Sequence, residues 1–362
     1  MSLQDVLRPD VRAMHAYHVQ DAAGHIKLDA MENPFSLPPA LQAELGQRLG
    51  AVALNRYPGT RINDLHAALR RHAQVPEGYA LVLGNGSDEL ISLLALACAQ
   101  PGAKVLAPLP GFVMYEMSAK LQGLGFVGVA LTSEFELDAA AMVAAIREHR
   151  PAITYLAYPN NPTANLWSDE ALAQIVDAVA AEGCGLVVID EAYQPFASKS
   201  YLARLTQHPH VLLMRTLSKF GLAGIRLGYL IGPQAIVAEV DKARPPYNVS
   251  VLNCEAALFA LEHEAEFKRQ AEVIKAERER LQVALATIPG IRAYPSQANM
   301  ILVRVPDAAA VFKGLKDRGI LIKNVSGMHP LLAHCVRLTV GLPQENDAMI
   351  AALQATLNPT AL

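Results

Sequence analysis

Residues 79–108 read YALVLGNGSDELISLLALACAQPGAKVLAP. In order they spell a strand, a glycine turn, an apolar helix and a second strand. Runs of Ala, Val and Leu this continuous suit strands buried on both faces of a sheet. The same unit repeats downstream. FVMYEMSAKLQG (112–123) is helix and FVGVAL (126–131) strand; DAAAMVAAIREH (138–149) is helix and AITYLAYP (152–159) strand; DEALAQIVDAVAAEG (169–183) is helix and GLVVID (185–190) strand. VLLMRTLSK (211–219) and LGYLIG (227–232) then follow as strands with little helix between them, which predicts local antiparallel pairing. The fold class expected is α/β: a mostly parallel central sheet with helices on both faces.

After Pro245-Pro246 the texture changes. A charged helical stretch, EHEAEFKRQAEVIKAERERLQVALAT (262–287), leads to the short strands NMILVRV, GILIKNV and VRLTVG around two helices. That predicts a smaller α+β domain, with a helix between Leu252 and Thr287 bridging the two parts. The expected division is an N-terminal arm over 1–29 that joins the small domain, a large domain over 30–250 and the small domain over 251–362.

Composition sets the outer limits. The chain has 362 residues, 52% hydrophobic and 18% charged, enough to bury a large and a small core. A net charge of -3 with no basic tract gives no reason to expect nucleic acid. No signal-like core opens the chain and no apolar run is long enough to span a bilayer, so neither membrane insertion nor secretion is expected, and the cytoplasm is. Cys98, Cys184, Cys254 and Cys335 lie far apart, as buried free thiols do. His15 and His18 lack a third ligand, so no metal is expected.

Chemistry in open α/β sheets collects just past the strand ends. TLSKFGLAGIRLGY (216–229) places Lys219 after an apolar strand, between the hydroxyls of Thr216 and Ser218 and ahead of Gly221, Gly224 and Arg226. A lone loop lysine is ordinarily a solvated surface group. Two hydroxyls and an arginine beside it form instead the donor set that clamps a phosphate dianion. A desolvated lysine there has a neutral amine able to attack a carbonyl.

Asp190 ends the apolar strand GLVVID, where an unpaired carboxylate is costly and a protonated pyridine nitrogen would satisfy it. Tyr193, three residues on, could donate to a phenolic oxygen of the same ring. Asn161 sits in the turn YPNNPTAN and could serve that oxygen too. In GNGSDEL, the N–H groups of Ser87 and Asp88 form an anion site at a helix N-terminus, with the carboxylates of Asp88 and Glu89 turned away from any phosphate. Phe112 in PLPGFVMY could stack on a flat ring. Each of these has a plain structural reading alone. Five such readings would have to coincide at five strand ends.

In this order the motifs resemble the aspartate-aminotransferase superfamily of enzymes that use pyridoxal 5′-phosphate. The likeness runs from LDAMENPF (28–35) through RYPG (56–59) and the motifs above to RPPYNVS (244–250) and VRLTVG (336–341). It implies Lys219 as the Schiff-base lysine and proton shuttle, and Asp190 at the pyridine nitrogen. It implies Tyr193 and Asn161 at the phenolic oxygen and Phe112 on the ring, with Ser87, Asp88, Thr216 or Ser218 and Arg226 on the phosphate. Tyr57 in RYPG is similar to a tyrosine lent to the neighbouring subunit's phosphate, implying a homodimer with shared sites. Arg337 matches the arginine that receives the substrate's anionic end, and Asn33 and Tyr17 are implied pocket walls.

The pairing of RYPG with RPPYNVS resembles members that exchange the amino group of histidinol phosphate, as small-molecule donor, with the keto acid 2-oxoglutarate. Aromatic amino-acid transamination and decarboxylation of an amino-acid phosphate are alternatives on the same machinery. A cofactor-sensing regulator is a remote one, since it needs a basic helix-turn-helix that the stretch before LDAMENPF has no room for. Three departures stand out: Lys219 to Arg226 is one residue shorter than usual, so the turn must tighten; Ala164 replaces a glycine; and Lys323 stands where a second substrate arginine is common.

Overall fold

The computed structural model describes residues 6–16 and 19–357. Its strands in chain order are β1 (Ile26–Lys27), β2 (Tyr79–Gly84), β3 (Lys104–Leu109), β4 (Gly125–Ala130), β5 (Ile153–Ala157), β6 (Leu186–Asp190), β7 (Val211–Thr216) and β8 (Gly228–Pro233). After them come β9 (Arg292–Ala293), β10 (Met300–Arg304), β11 (Ile320–Leu321), β12 (Lys323–Asn324) and β13 (Cys335–Thr339).

Seven strands form one sheet in the order β2-β8-β7-β6-β5-β3-β4. The neighbours from β7 to β4 are all parallel, and β8 alone runs against both β7 and β2. The chain is therefore α/β with a mostly parallel sheet. Alternation of side chains divides each strand between two cores. Val187, Ile189, Leu213 and Ile231 pack into one, while Val188, Leu212, Met214 and Leu230 pack into the other. Helices cover both, which is why the strands read as continuous apolar runs. The crossover helices are capped as their sequences ask: Ser168 accepts the Ala171 N–H, Asp138 that of Ala141, and Gly183 ends its helix at φ +57.

Since β2 is antiparallel to β8 and β8 to β7, β2 points the same way as the parallel strands. The carboxyl ends of β2, β3, β5, β6 and β7 share one edge. Gly84, Ala157, Asp190 and Thr216 end there, and the functional turns follow them.

A four-stranded antiparallel sheet, β12-β13-β10-β9, packs its own core of Ile301, Val303, Val336 and Leu338. β1 pairs in parallel with β11, so the N-terminal segment reaches residues near the other end of the chain. Two expectations need correction. The helix between Leu252 and Thr287 is two helices, Val251–Glu262 and Glu264–Ala286, broken at His263 (φ -103, ψ 28), whose ring bonds Glu44. GILIKNV is not one strand either, since Ile320–Leu321 pairs with β1 and Lys323–Asn324 with β13. The helix Glu264–Ala286 carries intrahelical ion pairs on one side, such as Lys268–Glu264, and buries Phe267, Ile274, Arg278 and Leu281 on the other. No described helix is long and apolar enough to cross a membrane.

Candidate active site

A cavity of about 420 Å³ opens at the shared strand edge. Eleven of the residues singled out above line it: Ser87, Asp88, Phe112, Asn161, Asp190, Tyr193, Thr216, Ser218, Lys219, Gly224 and Arg226. Residues more than a hundred positions apart in sequence meet because five strand ends meet.

Lys219 lies just beyond β7, whose last residue is Thr216, in a tight turn over Ser218–Leu222. Its Nζ donates to the Ala30 carbonyl at 3.2 Å and lies 5.8 Å from the centre of the Tyr193 ring. Burial, reinforced by the charge of Arg337, lowers its pKa to about 8. The amine is thus far nearer to neutral at physiological pH than a solvated lysine. The shortened run to Arg226 is accommodated by two left-handed residues, Gly221 at φ +133 and Arg226 at φ +49. Only glycine serves at 221: a Cβ there would stand 2.8 Å from the Phe267 ring.

Asp190 is buried at the end of β6. Its Oδ2 accepts from the Tyr115 hydroxyl at 2.7 Å and its Oδ1 from the Ala192 N–H at 3.0 Å. Burial pushes its pKa up to about 6 against the pull of those two bonds. Among the described residues no cation pairs with the carboxylate, which is costly without one.

Tyr115 escaped the sequence reading. It follows Phe112 by three residues, in the first turn of the helix Met114–Leu121, and its ring stacks on Tyr155 at 4.3 Å. A tyrosine one turn beyond a candidate ring-stacking residue was the available signal.

At the other end Arg226 Nη2 bonds the Asp88 carboxylate at 3.1 Å. This departs from the expectation that Asp88 turns away: a guanidinium draws the nearest carboxylate. Glu89 does turn away, to the Asn85 N–H and the Asn248 amide. The glycines leave the backbone bare where a phosphate needs it. A Cβ on Gly86 would come 2.7 Å from Arg226 Nη2, and one on Gly228 would come 2.7 Å from the Ser87 nitrogen. Thr216 and Ser218 are joined through their hydroxyls at 3.0 Å. A cationic arginine, two hydroxyls, a helix N-terminus and bare backbone at one end, with a cation-seeking carboxylate at the other, fit a flat heteroaromatic ring that carries a phosphate.

Arg337, in β13, donates to Asn161 Oδ1 at 2.8 Å and to the Asp29 carbonyl at 2.7 Å. Lys323 is its register partner on β12. Neither lines the cavity directly. Asn33 is not brought to the cavity: its amide bonds Gln270 at 2.9 Å and its oxygen takes the Phe35 N–H. Tyr57 is 72% exposed, away from the cavity of its own chain, and stacks on Tyr247 at 4.1 Å. Tyr17 lies outside the described residues. Ala164 takes the left-handed conformation (φ +64) that suits a glycine, held by Ala164 N–H to Asn160 and Gln297 N–H to Ala164. Behind the cavity the Glu191–Arg215 pair ties the segment after β6 to β7. Arg215 Nε donates to Glu191 at 2.9 Å, and the Glu191 side chain is wholly buried.

The family model for class I and II aminotransferases matches residues 23–353, and the chain belongs to that family. Among its relatives, a histidinol-phosphate aminotransferase of Methylibium petroleiphilum is 73% identical over 97% of this chain and 95% of its own length. One of Polaromonas naphthalenivorans is 66% identical over 98% of this chain and 97% of its own. The crystal structure of the histidinol-phosphate aminotransferase of Sinorhizobium meliloti in complex with pyridoxal 5′-phosphate superposes with a TM-score of 0.85 at 26% identity, covering 98% of each chain.

Proposed function

We propose that this chain transfers the amino group of glutamate to imidazole-acetol phosphate, giving 2-oxoglutarate and histidinol phosphate, with pyridoxal 5′-phosphate as cofactor. The observation that carries the chemistry is the buried Lys219 amine, lowered to about 8, facing the same cavity as Asp190. The substrate rests on the near-full-length likeness to histidinol-phosphate aminotransferases.

Bound there, the cofactor supplies a carbonyl that accepts the amino group and a cationic ring that takes up the electron pair of the broken Cα–H bond. Asp190 keeps a proton on the ring nitrogen, and Tyr115 keeps Asp190 ionised. Arg226, the hydroxyls of Thr216 and Ser218, and the N–H groups of Ser87 and Asp88 bind the phosphate. Asn161 and Tyr193 serve the phenolic oxygen, and Phe112 packs on the ring. Lys219 takes the proton from the substrate's amino-bearing carbon and returns it. Arg337, with Lys323 beside it, receives the substrate's anionic end. A point charge at 323 suits a phosphate better than it suits the planar pairing of a carboxylate.

The reading extends to a homodimer, with Tyr57 completing the phosphate site of the partner, and to action in the cytoplasm. The exposed Tyr57–Tyr247 stack supports the first and the four free cysteines the second. It also extends to a large unit over 30–250 that works against a small one made of 1–29 and 251–362.

The test is a single-turnover absorbance titration of the purified holoenzyme with histidinol phosphate, glutamate and phenylalanine offered separately. Spectral conversion by histidinol phosphate and glutamate supports the reading. Conversion by phenylalanine and glutamate alone moves it to aromatic amino acids, and release of CO₂ from an amino-acid phosphate moves it to decarboxylation. Lys219→Ala should abolish turnover, and steady turnover in that variant would refute the role given to the lysine.

A further inference from the structure

Three carboxylates line the cavity, and two of them have their partners inside it. Asp190 is held by Tyr115 and Asp88 by Arg226, both lining residues. Glu32 is placed differently. Its ion-pair partner Lys27 is not a lining residue, and Lys27 is shared with Asp29 at 3.7 Å. The Glu32 side chain is 46% exposed, so it sits where the cavity meets solvent.

The backbone is bent to put it there. Met31, just before it, is a buried residue with φ +52, a conformation that costs a non-glycine residue free energy. Two side chains of the second sheet region hold that bend. Met31 N–H donates to Thr339 Oγ1 at 3.1 Å, and the Asn299 amide donates to the Met31 carbonyl at 3.0 Å. Arg337 fixes the Asp29 carbonyl two residues earlier. The clamped bend has two consequences at the cavity. The Ala30 carbonyl meets the Lys219 amine, and the Glu32 carboxylate joins the lining. Its charge reaches that amine and favours the protonated form.

Histidinol phosphate and glutamate differ most at the end remote from the group that Arg337 would receive. One brings an imidazole ring with an N–H donor, the other a second carboxylate. We infer that Glu32 is a specificity-determining residue that accepts a hydrogen bond from the imidazole N–H of histidinol phosphate and repels the side-chain carboxylate of glutamate. This rests on the function proposed above. A carboxylate facing an imidazole forms a charge-assisted bond, stronger than a neutral pair. Facing another carboxylate in a half-dry cavity, it is unfavourable. The Met31 bend therefore does double duty, since one clamp sets both the lysine's acceptor and the carboxylate that sorts the two substrates.

The experiment compares wild-type holoenzyme with Glu32→Gln and Glu32→Ala in single-turnover absorbance titrations. The probes are histidinol phosphate, glutamate, and 2-aminopropyl phosphate, which keeps the amine and phosphate but has no ring. Glu32→Ala should raise the apparent Kd for histidinol phosphate about tenfold relative to that for 2-aminopropyl phosphate. Glu32→Gln, which keeps the shape and loses the charge, should fall between wild type and Ala. The Kd ratio of histidinol phosphate to glutamate should rise in both. An equal shift for the two amino phosphates would mean that only the loop was disturbed, and would overturn the inference. So would unchanged ratios in both variants. Should the wild-type enzyme itself not react with histidinol phosphate, the function falls and this inference with it; if it reacts and the ratios stay put, the inference alone falls.

Discussion

Asp190→Asn tests whether the buried carboxylate is waiting for a cation. In the cofactor-free protein, burial raises Asp190 from its ordinary 3.8 to about 6. Between those values the folded chain holds a proton that the unfolded chain has released. Stability must therefore fall as pH rises through this window, by ~3 kcal/mol in all at about 1.4 kcal/mol per pKa unit. Below it the contribution is flat, and above about 6 the full cost is carried.

Asparagine cannot ionise, yet it can still offer its oxygen to the Ala192 N–H and its amide to the Tyr115 oxygen. The assay is urea unfolding of cofactor-free wild type and Asp190→Asn at steps from pH 4 to 7, reading the difference between the two so that other groups cancel. Wild type should lose most of that, about 2 kcal/mol, relative to the variant across that range. Added cofactor should then stabilise wild type more than the variant at pH 7, since only wild type offers an anion to the ring. A difference that stays constant or grows in favour of wild type as pH rises, without cofactor, would refute the reasoning.

Other consequences are simpler to check. Tyr115→Phe removes the hydroxyl that donates to Asp190 while leaving the stack on Tyr155. Cofactor affinity, followed by fluorescence titration, should weaken by about 1.5–3 kcal/mol, the scale of a hydrogen bond to a charged group. Uptake of cofactor by the apoenzyme should accelerate with pH and level off above about 8, because only the neutral Lys219 amine attacks a carbonyl; stopped-flow absorbance reads it. Gly86→Ala forces a Cβ against Arg226 and strains φ +82, so inorganic phosphate should protect the apoenzyme against heat less well than it protects wild type. Glu191→Ala leaves the Arg215 guanidinium buried without its carboxylate and should cost about 3–5 kcal/mol of stability by denaturant unfolding.

Much of the site was legible because parallel sheets couple sequence to place. A turn that follows an apolar run must lie at the strand's carboxyl edge, and the motifs at 84–88, 158–165, 190–193 and 216–226 all follow such runs. Lys219, Asp190, Asn161 and Arg226 could thus be assigned to one cavity before any coordinate was known. The residues that escaped carry only a weak local signature. Tyr115 reads as one more aromatic on an apolar helix until its hydroxyl is seen on Asp190. Glu32 reads as a polar residue in a loop. Asn33, beside it, was expected at the pocket and faces Gln270 instead, because the bend at Met31 turns neighbouring side chains in different directions.

The sequence by itself determined the layering of the large sheet, the edge that carries chemistry and the chemical types gathered there. Period-two alternation, buried apolar runs and glycine turns are local, and local patterns suffice for those. Only the tertiary structure decided how far burial shifts Asp190 and Lys219, which carboxylate pairs with Arg226, and how Thr339 and Asn299 hold a left-handed Met31. Each of those depends on side chains from distant segments meeting in a space that water does not fill, where the strength of a charge or a hydrogen bond is set by its neighbours.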